Sequence, residues 1–243
     1  MISELTNNHA KELAKLKHKK FRSLQNKTIV EGVRLIDQLT TYGITFEELI
    51  ITDPDDFDLS KYSTKQTLLA NDFQMKKITD TITPQNIAAV ICINSIPLKD
   101  TQFLLYLDGI SDPGNMGTIF RTATAAGVSG IVLSPNCCEI YNPKVIRASL
   151  GSVFHIPSET HEYNWLKSVK NSIIATSLEN STNIFELEKP ASLILVIGSE
   201  AFGVRQEILQ LADHCVNIPI HGNIESMNAA VAAGIAIYHF IDK

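Results

Sequence analysis

At 243 residues, with 44% hydrophobic side chains and a formal charge of −5, the chain can form one large domain or two modest ones around a substantial core. No apolar run reaches the length of a membrane span, and the opening MISELTNNHAKELAKL has no apolar signal core. A cytoplasmic protein with no membrane partner is therefore expected. Cys92, Cys137, Cys138 and Cys215 show neither CxxC nor metal-type spacing, so reduced thiols and no metal are expected.

The charge is unevenly spread. Met1–Lys27 holds seven of the 21 Lys and Arg residues but only two of the 26 Asp and Glu residues. A basic head on an acidic body suits a polyanion reached by one end of the protein, although a solvated amphipathic helix would leave the same pattern. Glu4–Leu24 has helical spacing and ends in Lys17, Lys19, Lys20 and Arg22, with Phe21 among them. That mix suits RNA phosphates and stacked bases.

Beyond the head, Lys27–Val30 reads as a strand and Glu31–Tyr42 as a helix stopped by Gly43. Phe46–Thr52, Thr67–Leu69 and Ala88–Cys92 read as strands, and Asp72–Lys77 as a short helix. These elements make a small α/β module over residues 1–95, joined by the linker SIPLKD (Ser95–Asp100) to a second domain over 101–243. In that domain Phe103–Leu107 is a hydrophobic strand feeding the loop Asp108–Gly117. The helix Thr118–Ala126 follows, carries Arg121 and stops at Gly127. Gly130–Leu133 is a strand, Lys144–Leu150 a helix with Arg147, Trp165–Val169 a helix and Ser172–Thr176 a strand. Leu193–Ile197 reads as a buried parallel strand ending in Gly198-Ser199. Arg205–Ala212 reads as a short helix, Val216–Ile220 as a strand and Ala229–Tyr238 as an Ala-rich helix. The alternation implies an α/β fold with a mainly parallel sheet covered on both faces.

Loops at the carboxyl ends of such strands are where α/β sheets bind ligands. Asp108–Gly117 could hold an anion at a helix N-terminus, yet it lacks both the P-loop ending and the GxGxxG spacing. GSEAFG is not a GxSxG elbow, so a Ser199 nucleophile carries little weight. From pattern alone this is an α/β ligand-binding domain.

Three stretches carry a resemblance. DPGNMGTIFRTATAAG (Asp112–Gly127), LVIGSEAFGV (Leu195–Val204) and IPIHGNIESMNAAVAAGIAIY (Ile218–Tyr238) resemble, in order, the three motifs of the SpoU/TrmH family of RNA ribose 2′-O-methyltransferases. The stretch YNPKVIRASLGSVFHIP (Tyr141–Pro157) is similar to the family's connecting segment. The basic head followed by KTIVEGVRLIDQLTTYGI resembles the family's rRNA-directed branch, whose N-terminal RNA-binding domain has a fold like ribosomal L30e.

The resemblance implies a C-terminal α/β domain with a deep trefoil knot, which topology rules alone would argue against. It also implies S-adenosylmethionine as cofactor, an obligate homodimer with composite sites, and RNA as substrate, ribosomal rather than transfer RNA. By the same resemblance Gly198, Ile218 and Met227 contact the cofactor, within loops that include Ser199, Gly203, Pro219 and Gly222. Arg121 matches the arginine on which family catalysis depends. Because arginine essentially never gives up its proton, it is expected to hold a phosphate and stabilise oxyanion charge. Asn115 is expected to orient that arginine or the ribose, and Glu200, Ser226 and Asn228 to shape the loops or position the nucleotide. Lys17, Lys19, Lys20, Arg22 and Arg147 are the expected RNA contacts. Two other readings remain: a non-catalytic RNA-binding assembly factor of the same fold, and a transfer-RNA methylase. Arg121 and Gly198, whose loss would favour the first, are both present. Met227 replaces the family's more usual leucine, a volume-conserving change, and Ala201 a common glycine.

Overall fold

The computed structural model describes residues 2–99 and 101–241. Asp100, the last residue of the expected linker, and the domain ends Met1, Asp242 and Lys243 lie outside them. In chain order the elements are β1 (Ile2–Glu4), α1 (Asn7–Ala14), α2 (Lys19–Gln25), β2 (Lys27–Glu31), α3 (Val33–Thr41), β3 (Glu48–Ile51), β4 (Thr67–Leu69), α4 (Asp72–Ile78) and β5 (Ile87–Cys92). They continue with β6 (Phe103–Asp108), α5 (Pro113–Ala125), β7 (Gly130–Leu133), α6 (Pro143–Ala148), β8 (Ser158–Thr160), β9 (Ser172–Thr176), β10 (Thr182–Asn183), β11 (Leu193–Gly198), α7 (Gln206–Leu209), β12 (His214–Asn217) and α8 (Ala229–His239).

These elements form two compact units, one of residues 1–94 with 141–154 and one of 95–140 with 155–243. The segment Tyr141–Phe154, which sequence order puts inside 101–243, thus packs with the first unit.

The first unit holds a five-stranded mixed sheet in the order β1-β4-β3-β5-β2. Its core joins Ala10, Leu13 and Leu16 to Ile29, Ile50, Leu68, Met75, Ile78 and Val90. The basic head is not one helix. Residues 2–4 extend to pair in parallel with β4, and His18, extended at φ −98° and ψ 132°, separates α1 and a following 3-10 turn from α2. At the far side Gly151, at φ +78°, lies so close to α3 that a Cβ would stand 2.8 Å from Leu39 Cδ2. Only a residue free of both a side chain and a φ restriction fits there.

The second unit carries a seven-stranded sheet in the order β10-β12-β9-β11-β6-β7-β8, with every pair parallel. FLLYLD and LILVIG are buried at all six positions, as strands covered on both faces must be. Leu104, Tyr106, Val132, Ile173, Ala175, Ile194 and Val196 pack on one face with Leu166, Val204 and Ile208. Several expected boundaries move. α5 begins at Pro113 rather than Thr118, because Asp112 caps it by accepting from the Asn115 amide (2.8 Å) and Pro113 occupies a first-turn position that needs no N–H. β12 ends at Asn217, leaving Ile218–Ile220 outside the sheet, and residues 163–168 form a 3-10 turn rather than an α-helix.

Candidate active site

Because all seven strands of the second unit point the same way, the loops leaving β6, β11 and β12 emerge at one edge of the sheet. β6 and β11 end in register, with Gly198 opposite Asp108. After Gly198 the chain folds straight back: the Gly203 amide donates to the Ser199 carbonyl at 2.8 Å, and Ser199 Oγ accepts from the Phe202 amide at 3.3 Å. The returning chain lies so close that a Cβ on Gly198 would stand 2.1 Å from the Gly203 carbonyl carbon and 2.2 Å from the Val204 nitrogen. No other residue permits that approach. Gly203 itself turns at φ +66°.

Three of the expected site residues meet here through side-chain hydrogen bonds. The Asn115 side-chain amide, in the first turn of α5, donates to Glu200 Oε1 on the β11 loop. Asn228 Nδ2 donates to Asn115 Oδ1 at 2.9 Å, while Asn228 Oδ1 caps α8 by accepting from the Ala230 and Val231 amides at 3.0 and 3.2 Å. One chain of polar contacts therefore links segments more than eighty residues apart and fixes which end of each amide faces which partner. Arg121 lies further along α5, exposed, and forms no ion pair among the described residues. Ser226 is exposed, and the adjacent Met227 is half-buried. Ile218 and Pro219 are half-buried just past β12, and Gly222 faces open space.

Two residues that the sequence did not single out tie the site together. Asp108 is 3% exposed at the end of β6, and its carboxylate accepts from the main-chain N–H (2.9 Å) and Nε (2.8 Å) of Arg205. Arg205 Nη2 also lies 2.8 Å from Oδ1, close enough for an ion pair but without hydrogen-bond alignment. The guanidinium sits 5.6 Å from the centroid of the Tyr163 ring. Burial works against its charge, and Asp108 outweighs that, so Arg205 holds its proton even more firmly than an ordinary arginine. The one signal available was an acid closing a five-residue apolar run.

Thiol chemistry finds no footing here. Burial pushes the Cys137 thiol up and Cys138 to about 11, which disfavours the reactive thiolate. Among the described residues no three His, Cys, Asp or Glu side chains gather to hold a metal ion, and no helix is long and apolar enough to cross a membrane.

In the first unit the expected RNA cations separate. Lys19 and Lys20 are exposed and Lys17 half-buried. Arg22 is a correction: it is 2% exposed, and its Nη1 donates to the Leu16 and Lys17 carbonyls at 2.9 and 2.7 Å, holding the turn before α2. It cannot reach a phosphate. Arg147 lies 3.6 Å from Asp80. Both border an open cleft of about 330 Å³ that Lys17, Glu31, Ile29 and Val30 also line, so that two bases face two acids.

The family profile described as the SpoU rRNA Methylase family matches residues 102–238. The chain belongs to that family. A second profile, the MRM3-like substrate binding domain, matches residues 7–89. Among curated relatives, the 23S rRNA (guanosine(2553)-2′-O)-methyltransferase RlmP of Bacillus subtilis is 32% identical, with 98% of each chain covered. The 23S rRNA (uridine(2479)-2′-O)-methyltransferase of Streptomyces viridochromogenes is 26% identical over 90% of this chain and 84% of its own. A crystal structure of an AdoMet-bound rRNA methyltransferase from Sinorhizobium meliloti superposes with a TM-score of 0.86 at 28% identity, covering 98% and 97% of the two chains.

The strand-end segments of this SpoU methylase suit S-adenosylmethionine. Ile218, Pro219, Ile220 and Met227 offer half-buried apolar surface, and the main chain of residues 218–227 forms no hydrogen bond among the described residues. Apolar walls with unspent N–H and C=O groups can hold an adenine ring and read its edge.

Proposed function

We propose that this protein transfers a methyl group from S-adenosylmethionine to a ribose 2′-hydroxyl of 23S-type ribosomal RNA in the cytoplasm. The observation that carries the reading is the hydrogen-bonded chain Glu200–Asn115–Asn228, which draws the three motif segments to one edge of the parallel sheet, in a chain matched end to end by a 23S rRNA 2′-O-methyltransferase. The two 23S rRNA relatives act on a guanosine and a uridine. What they share is the ribose, so a site that reads sugar and phosphate accounts for both.

The division of labour follows from the residues. S-adenosylmethionine supplies a methyl group on a positively charged sulfur, which the ribose 2′-oxygen takes up. The main chain of 198–203 and 218–227, with Ile218, Pro219, Gly222 and Met227, forms the cofactor walls. Arg121, exposed and permanently charged, holds the phosphate beside the target ribose and stabilises negative charge growing on the 2′-oxygen. Asn115 orients the ribose, its side chain fixed by Glu200 and Asn228. Ser226 contributes its hydroxyl at the same rim.

Residues 101–243, apart from the Tyr141–Phe154 segment that packs with the first unit, form the knotted methylase domain and residues 1–95 present the RNA, with Lys17, Lys19, Lys20 and Arg147 toward its backbone. The protein works as a homodimer. α8 buries Ala229, Ala230, Ala233, Ala236 and Ile237 but leaves Val231 and Tyr238 more than half exposed one heptad apart, a stripe that a second copy would cover.

The test is transfer of labelled methyl groups to ribosomal RNA by the wild type and by Arg121→Ala, with cofactor binding followed by calorimetry. The variant is expected to bind S-adenosylmethionine as the wild type does and to lose about 10²–10³-fold in turnover, as expected when one oxyanion donor is removed. Cofactor binding with no transfer to any RNA would leave an RNA-binding assembly factor. Transfer to transfer RNA alone would move the substrate.

A further inference from the structure

We infer that the Asp108–Arg205 ion pair is the clasp that gives the β11 loop its cofactor-binding shape, so that both are positioning residues for methyl transfer. This rests on the proposed function for what the loop binds, but the clasp itself is a property of this chain.

The stretch from Ser199 to Gly203 has few anchors of its own, and the next residue, Val204, is buried in the core. Within it there is one main-chain hydrogen bond, from Gly203 to Ser199, and the weak Phe202 contact to Ser199 Oγ. Ala201, Phe202 and Gly203 are exposed, and the Phe202 ring, 90% exposed, contributes no packing. A loop of this kind opens at little cost unless something holds its far end.

Asp108 does so from the neighbouring strand. Its buried carboxylate takes the main-chain N–H of Arg205, just past Val204, and the guanidinium closes over it while lying against Tyr163. Gly198 and Asp108 are register partners, so the pair pins both ends of residues 198–205 to the same rung of the sheet. Glu200, which accepts from Asn115, rides on the loop between those ends. A carboxylate this deeply buried is costly to leave without its hydrogen-bond partners, which makes the closed loop the state that satisfies it.

Losing the fork costs some stability, but its effect on the loop is read separately. Arg205 is part-exposed, and its main-chain bond to Asp108 survives a side-chain change, so Arg205 variants keep the strand pairing. Arg205→Gln removes the charge, and Arg205→Lys keeps the charge without the fork.

The experiment reads amide hydrogen exchange at Gly203 and calorimetric binding of S-adenosylmethionine in the full-length protein, alongside KM and kcat for transfer. In Arg205→Gln, Gly203 exchange is expected to accelerate and the cofactor Kd and KM to rise at least about tenfold, because the cost of ordering the loop then falls on cofactor binding. kcat at saturating cofactor should fall less, and Arg205→Lys should recover part of the loss. Wild-type exchange and Kd in Arg205→Gln, whatever its melting temperature, would overturn the clasp. An Arg205→Lys variant no better than Arg205→Gln would overturn it too. Should the wild type fail to bind the cofactor, the proposed function falls while exchange at Gly203 still decides the clasp.

Discussion

In the first unit the sheet mixes parallel and antiparallel pairs, and its polar side chains find partners close by: Glu47 with Lys27 and Lys65, His9 with Glu48, Arg147 with Asp80. In the second unit every strand runs the same way, and the groups at the strand ends are partly spent and partly open: Asp108 on Arg205, Asn115 between Glu200 and Asn228, Arg121 and the main chain of 218–227 without partners among the described residues. The difference is one of direction. A mixed sheet sends its loops to both edges, whereas a parallel sheet delivers every carboxyl-end loop to one edge, where sparsely paired polar groups accumulate and can serve a ligand. Substitutions in the two units should therefore fail differently, the first in stability or in RNA affinity, the second in cofactor use.

The sharpest contrast is Gly198→Ala. With the Gly203 and Val204 main chain where the new methyl group must go, the loop has to shift. We expect a loss near the upper end of the ~1–3 kcal/mol typical of overpacking and no detectable cofactor binding, read by denaturant unfolding and calorimetry. Full cofactor affinity in a folded variant would break the comparison.

Within the basic head the two kinds of cation should part company. Arg22→Ala strands the Leu16 and Lys17 carbonyls and should cost about 1–3 kcal/mol in unfolding, with the salt slope of RNA binding unchanged. Lys19→Ala and Lys20→Ala should leave stability alone, and each should lower the slope of log affinity against log salt by about one. Equal salt slopes for all three would erase the distinction.

The smallest effect concerns acid. Hydrogen bonds from Lys65 and Lys27 hold the Glu47 carboxyl at about 2, below its ordinary value of 4.5. A lowered folded-state value means that this pair of contacts stabilises the protein above the unfolded value and is lost as pH falls from about 4.5 to about 2. Lys65 is exposed and its contact screened, so the contribution is about 1 kcal/mol or less. Glu47→Gln should flatten that part of the stability–pH curve, followed by denaturant unfolding across the acid range.

The residues by themselves carried the α/β class, most strand positions and the three motif segments, because buried parallel strands are continuous apolar runs and motif loops carry Gly, Asn and Ser in fixed order. They misplaced the start of α5, since glycines at 114 and 117 read as loop, and they merged α1 and α2, since the polar face continues across His18. Composition put Arg22 with the RNA cations. Only the packing of α2 onto the preceding turn turned it inward to two carbonyls. Nor could spacing show that Asp108 would find Arg205 ninety-seven residues later, or that Tyr141–Phe154 would pack with the first unit. Local propensity and periodicity act over a few residues and were legible. Charge pairing and close backbone approach depend on which strands become neighbours, and that was decided by the tertiary structure alone.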